Sequence, residues 1–196
     1  MTDVAVDACC LINLLAARSV LHLPVREGKR SKDPRRPDKL HSLGLILHVP
    51  NIVSSESLYI LQPDHEDPTW WLKSPVDLEP YFTAGVLHRC EVDPDEAVLF
   101  VRYASKLDDG EAACLAIAKN RGWLLATDDR PATSLASKDG VTVLTTAELL
   151  MKWAANTKVP KSEIALALLN IQRFARFVPR KNSREAAWWL SHFSNK

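Results

Sequence analysis

The chain lacks several features that would settle its class at once. Its four cysteines, Cys9, Cys10, Cys90 and Cys114, comprise one adjacent pair and two isolated residues in apolar stretches. With no CxxC and no Cys/His spacing, structural zinc is excluded, and the thiols read as small apolar side chains kept reduced. No apolar run reaches the length of a membrane span. Asp3 and Asp7 stand where a signal peptide would carry a basic n-region before a long apolar run, so a soluble, cytoplasmic protein is expected. Formal net charge is only +1, which by itself makes no case for nucleic acid. There is no internal repeat, and His41, His48, His65, His88 and His192 have neither metal-binding nor triad spacing.

What is present is ordinary globular material, with 46% hydrophobic and 25% charged residues in 196, enough for one domain with a proper core. An apolar run from Asp3 to Val6 ends in Asp7, and an apolar helix from Cys9 to Ala17 follows at once. Strand, acid, helix is the opening of a doubly wound α/β fold. Leu45 to Val49 reads as a second strand stopped by Pro50, and Ser54 to Leu61 as a helix carrying Glu56 in its first turn. Asp64 to Pro80, rich in proline, reads as a loop or irregular connection. Tyr81 to Cys90 closes a helix and enters an extended segment, and Asp95 to Leu107 reads as a helix. The strongest helix spans Asp109 to Arg121, with Gly122 ending it. A strand from Trp123 to Thr127, ending in Asp128 and Asp129, leads to a helix around Pro131 to Lys138. A strand at Val141 to Leu144 and a helix from Ala147 to Ala155 complete the alternation. Strands separated by helices imply a mainly parallel sheet covered on both faces. Amphipathic helices from Lys161 to Arg176 and from Arg184 to Phe193 close the chain. The organisation expected is one domain over 1–158 with a C-terminal helical extension, 159–196, packed on it.

Several acids occupy places that folding alone does not require. Asp7 ends the first strand, Glu56 follows the second, Glu111 opens the strongest helix, and Asp128 and Asp129 end the next strand. Carboxyl ends of parallel neighbours share one edge, so these side chains converge in one crevice if the strands are neighbours. Converging carboxylates raise one another's pKa unless a cation neutralises them. Hard oxygen ligands favour magnesium or manganese, and such an ion can activate water against a phosphodiester. Each acid also has a purely structural reading. Asp7 is a helix cap, Asp108 and Glu111 have capping-box spacing, and Asp128 with Asp129 forms a turn before Pro131.

The residues resemble a known family. VDACCLINLLA looks like the opening of PIN domains, where an Asp ends the first strand and an LI-N-L helix follows. VPNIVSSESL is similar to their second segment. DDGEAACLAIAKNRGWLLATDDRPA resembles the third and fourth, an acid opening an alanine-rich helix and then a strand ending in Thr-x-Asp. The resemblance runs from about Val4 to Leu150. It implies a PIN-like three-layer α/β/α fold with a central, mainly parallel sheet, and a nuclease using Mg2+ or Mn2+ on RNA. It implies ligand or catalytic roles for Asp7, Glu56, Glu111 and Asp129, with Thr127 and Asp108 in support and Asp128 contributing directly or through water. Two departures stand out: Glu111 where many relatives carry Asp, and Cys9 where a small polar residue is common. The resemblance further implies a dimer, and the toxin half of a toxin–antitoxin pair held by a small antitoxin protein.

Basic residues cluster in two places. Arg26, Lys29, Arg30, Lys32, Arg35, Arg36 and Lys39 form an arm without apolar periodicity, a candidate RNA-binding surface. Lys158, Lys161, Arg173, Arg176, Arg180, Lys181 and Arg184 read first as solvated surface. Trp70 with Trp71 and Trp188 with Trp189 read as packing rather than base stacking. Two rivals remain. A catalytically inactive PIN-like module that binds RNA or protein is opposed by the intact acidic set. A phosphoacceptor receiver domain needs a lysine after a late strand, where this chain has Thr145 and Thr146.

Overall fold

In the computed structural model the described residues are 1–21, 44–157 and 159–193. The basic arm from Arg26 to Lys39 and Lys158 lie outside them.

Five parallel strands form the central sheet: β1 (Thr2–Val6), β2 (Leu45–Pro50), β5 (His88–Cys90), β6 (Leu124–Ala126) and β7 (Val143–Leu144), in the order β5-β2-β1-β6-β7. β1 is central, so Val4, Ala5 and Val6 are fully buried, as a strand covered on both faces must be. Its register sets Val4 beside Leu47 on one side and Leu124 on the other. The chain winds outward from β1 through β2 to β5, crosses back to β6, and then winds the other way to β7. The winding therefore reverses between β1 and β6, and a crevice opens beyond their carboxyl ends at such a point.

Helix α1 (Ala8–Ala16) starts directly after Asp7. Helix α5 (Asp109–Arg121) is buried at Gly110 and at every position from Ala112 to Ala118. Its small side chains let it press against the sheet, α2 (Asn51–Ser54) and α4 (Ala97–Ala104) together. Gly122 ends it with φ +67°, a left-handed cap that glycine takes without a Cβ penalty. The outer helices α6 (Arg130–Lys138) and α7 (Thr146–Thr157) follow β6 and β7. α8 (Lys161–Phe174) packs on α1, and α9 (Arg184–Ser191) on α7; Ile164, Ala167, Leu168, Ile171 and Trp189 join the single hydrophobic core. Among the described residues no helix is long and apolar enough to cross a membrane.

Three expected elements differ. Ser54 to Leu61 is not a helix: the one-turn α2 ends at Ser54, Glu56 lies beyond it, and Tyr59–Pro63 is strand β3. β3 pairs antiparallel with β4 (Trp71–Pro75), inside the stretch expected to be irregular. The aromatic and β-branched residues Tyr59 and Ile60 favour a strand once a partner exists. The side chains of Asp64 and Asp67 accept the backbone N–H groups of Glu66 and Thr69, folding the connection. The helix expected over Asp95 to Leu107 is divided into a 3-10 turn, Pro94–Glu96, and α4. α3 (Glu79–Thr83) completes the set.

Candidate active site

Three acids cap three helices at one edge of the sheet. Asp7 caps α1 and Asp108 caps α5, as their structural readings have it, while Asp129 caps α6 rather than forming a turn with Asp128 before Pro131. Asp7 Oδ1 accepts the Ala8 N–H at 2.7 Å, while Oδ2 accepts the Thr127 hydroxyl and the Cys9 thiol, both at 3.0 Å. Asp108 accepts the Glu111 N–H at 2.9 Å, and Asp129 accepts the Ala132 N–H at 2.8 Å. The positive ends of the three helices favour carboxylates here. Thr127, fully buried, also accepts the Asp129 N–H at 3.1 Å, so one hydroxyl positions the end of β1 against the turn after β6.

The carboxyls of this edge perturb one another. Burial raises Asp7 above its ordinary value, and the charge of Asp108 adds to the shift. Glu56 is raised by partial burial, then by Asp108 and Asp7. Glu111 is pushed up to about 7 by burial and by Asp108, Asp129 and Asp7, against a lowering contribution from the Asp108 backbone N–H. Asp108 thus caps α5 through the Glu111 N–H while its charge raises the Glu111 carboxyl, so capping and membership of the acidic group coexist here. Asp108 acts on Asp7, Glu56 and Glu111 alike, a more central position than a supporting cap.

Glu56 reaches this group from the turn between α2 and β3, and Gly110 makes room for it. A Cβ at position 110 would lie 2.2 Å from Glu56 Oε1, closer than any packed structure allows. The glycine of DDGEA thus admits a carboxylate over the first turn of α5.

Asp128 is turned the other way. Its Oδ2 accepts the hydroxyl of Thr146 at 2.5 Å, the amide of Asn13 at 3.1 Å and the thiol of Cys10 at 3.4 Å, and its Oδ1 accepts the Thr146 N–H at 3.0 Å. The carboxylate clamps α1 to the start of α7. Cys9 Sγ, Cys10 Sγ and an Asp128 oxygen do lie within 4.8 Å of one another, close enough to hold a metal. Yet the Asp128 oxygens already have four donors, and burial pushes the Cys10 thiol well up, which disfavours the thiolate a metal needs. Among the described residues the acids of the crevice form no comparable tight group of three. Their donor set suits a hard divalent cation: all are carboxylate oxygens, and three are raised first by burial and then by neighbouring negative charge that a cation would neutralise.

Sequence reasoning missed Gly110, Asn13 and Thr146. Asn13 carried a signal, being a polar residue in an otherwise apolar helix that is buried among Leu11, Leu14 and Leu15. Thr146 carried none.

A family model described as a PIN domain matches residues 73–186, more than half of the chain. The chain belongs to the PIN-domain family. PIN domains are generally nucleases and typically use divalent metals, and the parallel sheet flanked by helices is the PIN-like α/β/α fold. The matched span holds Asp108, Glu111 and Thr127 to Asp129 and runs through α8, whereas Asp7 and Glu56 precede it. No curated protein and no solved structure matches the chain.

Proposed function

We propose that this PIN domain is a ribonuclease dependent on Mg2+ or Mn2+, with Asp7, Glu56, Glu111 and Asp129 as the metal-holding set. The observation that carries the reading is the gathering of these carboxyls at the crevice where the winding reverses, with Asp7 held by Thr127, Glu56 lying over Gly110, and Glu111 pushed up to about 7 by burial and by Asp108, Asp129 and Asp7. A bound divalent ion would polarise a phosphate oxygen and acidify a water nucleophile.

The chain's own residues supply positioning. Thr127 and Cys9 hold Asp7 Oδ2 in one direction, and Ala132 does the same for Asp129. Gly110 lets Glu56 close over the α5 N-terminus. Asp108 adds negative charge that strengthens cation attraction, and Asp128 acts as the clamp behind the site rather than as a ligand. RNA is the substrate that fits best with the family, and the basic arm at Arg26 to Lys39 is the proposed contact for its backbone. The setting proposed is a reducing cytoplasm, with which four free thiols agree. Within it the protein serves as the toxin of a toxin–antitoxin pair, acting as a dimer restrained by a small antitoxin.

The test is cleavage of defined single-stranded RNAs with and without Mg2+. Wild type is expected to cleave only with metal, and Asp7→Asn to lose activity on the order of 100-fold, the scale for one catalytic group. Wild-type rates in Asp7→Asn, or cleavage undiminished by chelator, would overturn the proposal.

A further inference from the structure

At the end of α1 far from Asp7, exposed cations from three segments gather on a row of rings. The guanidinium of Arg18, just past α1, lies over Phe174 at 4.7 Å, and that of Arg176, just past α8, lies over Trp71 of β4 at 4.9 Å. Phe174 and Trp71 meet at 6.2 Å, and Arg173 stands 5.8 Å from each ring. Two residues along β4 from Trp71, and so on the same face, Lys73 lies over Tyr59 of β3 at 4.3 Å. All four cations are exposed. No acid occurs in 8–21, 59–63, 70–76 or 164–184, so the segments that build the patch bring no negative charge of their own.

The backbone singles out the two outer arginines. Among the described residues only Arg18 and Arg176 have a positive φ without being glycine, at 59° and 57°. Each follows the cap of its helix, a place that glycine takes without strain and arginine takes at a cost. A cation in the last turn already suits the negative end of a helix, and α8 has one there in Arg173. Two strained arginines delivered to one pair of rings are more than helix termination requires. Arg89, Arg102 and Arg121 also stand over rings, but each meets a carboxylate as well. Among the described residues no carboxylate is ion-paired to the cations of the patch.

We propose that this patch grips the backbone of a single RNA strand away from the cut. The inference rests on the ribonuclease reading and adds an anchor to it. A ring backs one face of each outer guanidinium, and the exposed side keeps planar N–H edges for phosphate. A guanidinium face also takes a stacked base, which an RNA strand supplies and an acidic polypeptide does not. α1 is about 14 Å long at its rise per residue, so the patch acts on nucleotides beyond the one at the crevice. Arg173 and Arg176, expected from the sequence to be solvated surface, thus join Arg18 and Lys73 in one site.

The test is fluorescence anisotropy of a labelled oligo-adenylate with the full-length protein in EDTA, across a salt series. Wild type is expected to bind with an affinity that falls steeply with salt. The double variant Arg18→Gly, Arg176→Gly removes two cations where glycine suits the backbone, so it is expected to melt within a few degrees of wild type. Its RNA affinity is expected to fall on the order of tenfold at about 0.1 M salt, and its salt slope by about 1.4, the value for two phosphate contacts. Arg173→Gln, on ordinary helical backbone, should lower that slope by about 0.7. Arginines kept for the fold alone would instead lower the melting temperature and leave RNA binding unchanged, and unchanged binding in either folded variant overturns the inference. Poly-glutamate binding as tight as RNA overturns it too, and assigns the patch to an acidic polypeptide. The metal-free readout lets the two readings fail separately. RNA binding lost in the variants, without metal-dependent cleavage by wild type, sinks the ribonuclease reading alone; metal-dependent cleavage with undiminished RNA binding in the variants sinks the patch alone.

Discussion

Two acidic regions of this molecule solve the same electrostatic problem in opposite ways. Glu96 is fully buried, and burial pushes its carboxyl up, but Arg121 more than offsets the effect and holds it below its ordinary value. Arg121 Nε donates to Glu96 Oε1 at 2.7 Å, and Nη2 donates to Glu96 Oε2 and to Asp93 Oδ2, both at 2.9 Å. The charge is balanced within the chain. At the carboxyl edge of β1 and β6, by contrast, Asp7, Glu56 and Glu111 are all raised, with no arginine or lysine ion-paired to them among the described residues. A buried acid paired with arginine is architecture. A set of acids raised by burial and by neighbouring negative charge, with no cationic side chain paired to it among the described residues, is what the proposed metal would neutralise.

Removing the arginine should break the comparison most severely. Arg121→Met leaves Glu96 buried and uncompensated, and is expected to cost about 3 to 5 kcal/mol in urea unfolding. A loss below about 1 kcal/mol would mean that the two regions do not differ as described.

The next effect is on pH dependence, where the two regions have opposite signs. Glu96 has a depressed value, so its stabilisation is present above its ordinary value of 4.5 and is lost as pH falls. Glu111 is raised from 4.5 to about 7, so in metal-free protein its contribution falls as pH rises between those values. Divalent metal competes with that proton, so the melting-temperature gain from Mg2+ is expected above pH 7 and to fade as pH drops through about 7. Glu111→Gln should flatten that profile. A Mg2+ gain that is constant from pH 5 to pH 8 would contradict the assignment of Glu111.

The smallest effect sharpens the picture at Gly110. Alanine there gains up to about 1 kcal/mol of helix propensity but displaces the Glu56 carboxylate. Gly110→Ala should keep metal-free stability within about 1 kcal/mol of wild type and lower Mg2+ affinity by calorimetry. Unchanged affinity would remove Glu56 from the set.

How much was legible depended on range. β1, α1 and α5 declare themselves through local apolar runs and caps, and Asp109–Arg121 has the bounds its Gly122 stop implies. The β3–β4 hairpin was not legible, because Tyr59 and Trp71 become strand residues only through pairing across a proline-bearing turn. Asp128 and Asp129 are adjacent and chemically alike. Only the positions of Asn13, Cys10 and Thr146, from two other helices, distinguish the clamp from the crevice residue. Glu96 looked like one more acid in a helix until Arg121 came to meet it.

Asp7, Glu111 and Asp129 are marked as candidates by the sequence alone, because acids at strand ends and helix starts follow from backbone geometry that each segment carries within itself, whereas Glu56 is placed by the turn between α2 and β3 rather than by the helix expected there. Which acids share a crevice, which are neutralised by arginine and which serve as tethers were decided only by the tertiary structure. Charge interactions depend on distance and burial, and the chain sets both only when its distant segments pack.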